Sequence, residues 1–120
     1  MSYERLKSPQ IDGTWDDGAV VTNPGSNAIL ETTGALVAGD YFISFLFWAT
    51  ASATFVIAWR DAADATDLHS FQVPIPTASL VQLVFPTKIT LLDQQRITVR
   101  NVTSITGNAQ ATILTSLITG

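Results

Sequence analysis

The most regular alternation in the chain runs from Gln95 to Val102. Ile97 and Val99 fall on one parity, and Arg96, Thr98 and Arg100 fall on the other. A period of two with one charged side is the pattern of a strand that is wet on one face. Two other runs carry apolar groups on both parities. One is residues 41–48, dense in aromatics; the other is residues 109–118, where Ile113 and Leu117 oppose Leu114 and Ile118. Strands of that kind are covered on both faces, once by the core of their own domain and once by a further surface.

Short strand-like runs recur along the chain at residues 19–22, 28–33, 41–49, 53–60, 68–73, 80–85, 88–92, 96–102 and 109–118. Turn chemistry separates them: Asn23-Pro24-Gly25, Gly34, Pro74-Ile75-Pro76, Pro86, Asp93-Gln94-Gln95 and Gly107-Asn108. No stretch has helical periodicity. The pattern predicts an all-β fold, a single-domain jelly-roll sandwich of about eight to ten antiparallel strands. Residues 41–49 and 53–60 read as a hairpin turning near Ala51-Ser52. Residues 1–18 show no period, hold Pro9 and Gly13, and read as an extended N-terminal arm; the domain then spans residues 19–120.

Composition agrees with this reading. Thr, Ile and Val together supply 35 of 120 residues, and such β-branched side chains suit a pleated, half-buried surface. Only two Glu, two Lys and four Arg are present, too few for the polar face of a surface helix. One domain is expected from the length.

Charge changes the picture more than composition does. No charged residue lies between Tyr41 and Trp59, none between Leu68 and Thr87 apart from the titratable His69, and none after Arg100. Outer strand faces must therefore carry Thr, Ser, Gln or apolar groups, as a subunit interface does. A homotrimer is the expectation, with Tyr41, Ile43, Phe45, Phe47, Ile113 and Leu117 as candidate contacts, or their alternates on the other parity. In the arm, Tyr3, Arg5, Leu6, Lys7 and Trp15 are candidates for docking onto a partner, combining mixed charge with apolar anchors. A net charge of −4 with six Lys+Arg argues against nucleic acid and against anionic membranes. Residues 41–59 are uncharged over nearly the length of a membrane span. Their centre, Ala49-Thr-Ala-Ser-Ala-Thr54, is too small and polar for one.

The candidate chemistry is thin. No cysteine is present, which removes disulfides and thiolate metal sites. Asp61, Asp64 and Asp67 share one loop just before His69, but their spacing is not that of a calcium loop, and mutual repulsion along a solvated loop is the plainer reading. His69 has no serine elbow or cysteine nucleophile to activate. Asp16 and Asp17 are adjacent, so on a strand they point apart and cannot flank a glycosidic bond. Trp15, Trp48 and Trp59 are the residues from which a sugar-stacking platform would be built. Asn101-Val-Thr103 matches a glycosylation acceptor, read as a chance match within a strand. No enzyme activity and no cofactor are expected. The first ten residues hold no signal-peptide core, so synthesis in a host cytoplasm is expected.

Ala38-Gly39-Asp40-Tyr41 matches a small-Gly-x-Tyr lead into an aromatic strand. Leu91-Leu-Asp-Gln-Gln-Arg-Ile-Thr-Val99 matches a later strand pair, with Asp93-Gln94 where Gly-Asp is usual. Over roughly residues 30–118 the chain thus resembles the jelly roll of tumour-necrosis-factor and complement-globular-head domains. That resemblance implies a tight trimer built through an aromatic face. In overall character the chain also resembles small virion proteins of tailed bacteriophages. This implies a structural role on the virion surface, decorating or cementing the capsid by binding the major capsid protein or another component. A carbohydrate- or receptor-binding module and a non-viral trimeric binding domain are the alternatives.

Overall fold

A computed structural model describes residues 11–118. Ten strands follow in order: β1 (Ile11–Asp17), β2 (Val21–Thr22), β3 (Ile29–Thr32), β4 (Gly39–Ala49), β5 (Ala53–Arg60), β6 (Asp67–Ile75), β7 (Ser79–Val84), β8 (Ile89–Leu91), β9 (Arg96–Asn101) and β10 (Asn108–Ile118). They form two antiparallel sheets. Sheet A has the order β1-β10-β4-β7, with β2 also on β10 and β8 also on β4. Sheet B has the order β3-β9-β5-β6. The pairs β1–β10, β3–β9, β4–β7 and β5–β6 nest around the loop at residues 61–66, as in a long ribbon wrapped into a jelly roll.

The core follows from alternation. Tyr41, Ile43, Phe45, Phe47 and Ala49 of β4, with Ala109, Ala111 and Ile113 of β10, face Phe55, Ile57 and Trp59 of β5 and Ile97 and Val99 of β9. Phe45 stacks on Phe47 at 5.5 Å, and Phe47 meets Phe55 edge-on across the sheets at 5.5 Å. Each such side chain contributes about 1.5–3 kcal/mol by leaving water. Tyr41 keeps its polar end satisfied by donating to the Val37 carbonyl at 2.7 Å, and burial pushes its phenol pKa up.

Two expectations are corrected here. Residues 41–49 and 53–60 are not a hairpin. β4 lies in sheet A and β5 in sheet B, and the three residues between them form a corner from one sheet to the other. Both strands need one face in the same core, and face-to-face packing satisfies both at once. The arm boundary at residue 18 also moves, because Ile11–Asp17 pairs with β10 over seven residues, from Ile11↔Ile118 to Asp17↔Thr112. Gly18 ends that strand where a Cβ would lie 2.4 Å from the Ala111 carbonyl oxygen, so no larger residue fits. Residues 1–10 lie outside the described residues, and with them the candidates Tyr3, Arg5, Leu6 and Lys7.

Asn101 is fully buried, and its amide donates to the carbonyls of Pro24, Gly25 and Thr103. It ties the Asn23-Pro24-Gly25 turn to β9 and offers no surface to a glycosyl transfer. Among the described residues no helix is long and apolar enough to cross a membrane, and residues 41–59 form two strands in different sheets.

Candidate functional site

The two outer faces of the sandwich differ in kind. Sheet A presents Trp15 from β1, Thr112 and Leu114 from β10, Phe42, Ser44, Leu46 and Trp48 from β4, and Leu80, Gln82 and Val84 from β7. Their register sets them side by side: Trp15↔Leu114, Thr112↔Leu46, Leu46↔Gln82 and Trp48↔Leu80. Trp15, Leu80 and Val84 are 57%, 68% and 57% exposed. Charge appears only at the margins of this face. Asp17 ends β1, and Asp40 at one corner accepts from Lys88 at 3.1 Å and from the Thr90 hydroxyl at 2.6 Å. Those bonds hold the Asp40 carboxyl below its ordinary range, the Thr90 bond most of all.

None of the six residues expected at a trimer contact lies on this outer face. Tyr41, Ile43, Phe45, Phe47 and Ile113 are buried inside the chain's own sandwich, and Leu117 is packed against the same core. Their parity is the inward one, because it carries the bulkier, more continuous apolar set. The outward set of the same two strands is Phe42, Leu46, Trp48 and Leu114, and these are the side chains available to a neighbour. Of the docking candidates, Trp15 is the one described, and it stands on this face rather than in an arm.

Sheet B presents the opposite chemistry. Arg60 of β5 pairs across the strands with Arg96 of β9, and Val56 with Arg100. Two like charges side by side repel, and the 61–66 loop with the first residue of β6 supplies the counter-charge. Arg60 donates to Asp64 at 2.7 Å and also to Asp67; Arg100 donates to Asp67 at 2.7 Å; Arg96 lies 3.6 Å from Asp64. Asp61 accepts the backbone N–H groups of Ala65 and Thr66 at 2.8 and 3.2 Å. The loop is therefore not a run of mutually repelling, solvated carboxylates. Hydrogen bonds from Arg100 above all, and then Arg60, lower the Asp67 pKa, and the two loop amides lower that of Asp61. Asp64 sits at φ 56°, a left-handed conformation that Asp tolerates, which aims its carboxylate back at the arginines.

The other chemical candidates separate in space. Trp48 points outward from sheet A, while Trp59 is 8% exposed on the inward face of sheet B, so the two cannot make one sugar platform. Asp16 turns inward from β1 beside Glu31, with Asp17 turned the other way. Burial first, then the charges of Glu31 and Asp17, raises the Asp16 pKa. His69 pairs across strands with Trp59, on the face opposite to Asp67 and its arginines.

No protein-family profile matches the chain, and no curated protein is significantly similar to it.

Proposed function

We propose that the chain is a structural, self-associating module rather than an enzyme, a homotrimer joined through the outer face of sheet A. The observation that carries this is the uncharged strip formed by Trp15, Leu114, Leu46, Trp48 and Leu80, set against the charged outer face of sheet B. An apolar face of four strands held open to water favours association, because covering it removes apolar surface at little cost in charge burial. The contacts are the outward residues of β4 and β10, together with Trp15 and the β7 side chains.

The biological setting that fits is a virion surface, with the trimer decorating a tailed-bacteriophage capsid by shape. This part rests on the character of the sequence: short, cysteine-free, rich in Thr and Ala, with polar first residues. Binding only the assembled shell would stabilise that shell by mass action. Two results test the proposal. Multi-angle light scattering at micromolar concentration should return a mass near three times 12.9 kDa. The protein should also co-sediment with capsids built from a capsid protein encoded beside it. A 12.9 kDa particle contradicts the assembly; an assembled protein that ignores such capsids contradicts the virion setting.

A further inference from the structure

A second apolar feature lies away from that face. Between the sheets, at the edge made by β6 and by the connection from β7 to β8, is a cleft of about 810 Å³. Its floor is a ring cluster. Trp59 stacks on Phe85 at 5.4 Å with 9° between planes, and Phe71 lies 5.8 Å from Trp59 and 5.5 Å from Phe85. Leu68 and Leu92 are its most exposed apolar walls, at 45% and 68%. None of its lining residues belongs to the strip on sheet A.

We infer that this cleft is a binding site for an uncharged, apolar ring compound. The volume falls within the roughly 300–1,000 Å³ of sites that enclose small molecules. No Asp, Glu, Lys or Arg lines it, and His69 is the one titratable side chain among its lining residues, so an ionic ligand would lose its hydration with no carboxylate, ammonium or guanidinium to replace it. Two of its polar side chains are already engaged within the fold. The Thr90 hydroxyl donates to Asp40, and the Gln95 side-chain oxygen accepts from the Leu92 N–H at 2.8 Å. The flat ring walls suit a flat apolar ring stacked between them.

Charge at the rim decides between a small molecule and a protein surface. Lys88 sits between Thr87 and Ile89, and Asp93 follows Leu92. Lys88 is also bonded to Asp40. A second protein covering the mouth would have to desolvate these groups, which is costly. A small molecule seated inside leaves them in water.

The test is a titration of the intact protein with N-phenyl-1-naphthylamine, a neutral apolar dye that brightens when it leaves water. Saturable binding with one dye per chain is expected. Leu92→Asp, at an exposed position that leaves the fold intact by circular dichroism, should weaken it about tenfold or more, since a carboxylate then faces the apolar interior. Phe71→Ala should weaken it too. Leu80→Asp, on the outer face of sheet A, should leave affinity within about twofold whatever it does to the particle mass. Three results overturn the inference: no saturable binding; loss with Leu80→Asp but not with Leu92→Asp; or binding that appears only when Leu80→Asp separates the chains. The last would mean that a second copy fills the cleft. Particle mass, read separately, judges the assembly proposal independently of the dye.

Discussion

The two outer faces of this sandwich have the same backbone chemistry and opposite surfaces. On sheet B, three arginines pair with two aspartates in water's reach. On sheet A, four neighbouring strands present Trp, Phe, Leu, Val, Thr, Ser and Gln. A charged face resists being covered, because its ions must first be stripped of water. An apolar face gains by being covered. On the proposed assembly, the difference sets a direction, with sheet A toward a neighbour and sheet B toward solvent.

The largest expected effect separates the core from both faces. Phe45→Asp places a carboxylate at a position 1% exposed, between Phe47 and Phe85. Loss of the ring alone costs about 3–5 kcal/mol. With the buried charge added, the change exceeds what a domain of about 5–15 kcal/mol tolerates. Circular dichroism should show an unfolded chain; a folded trimer would contradict the inward assignment of that parity.

One residue further on, the prediction changes. Leu46→Asp points from the same strand to the outer face of sheet A, opposite Thr112 and Gln82. The chain should keep its fold and lose its assembly, because the buried interfacial charge costs on the order of several kcal/mol. Val56→Asp, outward on sheet B and paired with Arg100, should keep both. If light scattering finds Leu46→Asp assembled and Val56→Asp dissociated, the two faces have been assigned the wrong way round.

Arg100→Ala tests the charged face itself. It removes the strongest partner of Asp67 and should cost about 1–2 kcal/mol in a denaturant titration, with the particle mass unchanged. It should also alter the pH profile. The Asp67 pKa in the folded chain lies below its ordinary 3.8. Its contribution is therefore complete above that ordinary value and is lost as pH falls through the lower, folded value. Wild type should lose stability below about pH 4, and Arg100→Ala should flatten that decline. Asp16 has the opposite sign. Its folded pKa is raised, so ionising it opposes the fold at neutral pH. Asp16→Asn should accordingly stabilise by about 0.5 kcal/mol at pH 7, the smallest of these effects.

The same comparison explains what could be read from the residues. Strands β2 to β10 were visible because alternation and turn residues are local signals, as at residues 95–102. β1 was not: Gly13, Asp16 and Asp17 argue against a strand, and β1 exists through its pairing with β10 about a hundred residues away in the chain. The parity of β4 was equally hidden, since both faces of residues 41–48 are apolar and only the packed core distinguishes Phe45 from Leu46. The acidic loop looked repulsive because its partners are distant in sequence; Arg100 lies 33 residues from Asp67. The apolar cleft had no sequence signal at all, because Trp59, Phe71 and Phe85 come from separate runs.

A chain without cysteine allows the central claim to be tested with one introduced thiol at a time. Gln82→Cys sits on the outer face of sheet A, and Gln72→Cys on the outer face of sheet B; both positions are exposed in the single chain. The measurement is the rate at which each reacts with a thiol reagent in the native assembly. The account predicts that Gln72→Cys reacts as a free thiol does, while Gln82→Cys is protected until the assembly is dissociated. Equal reaction at both positions, or protection at Gln72→Cys alone, would contradict it.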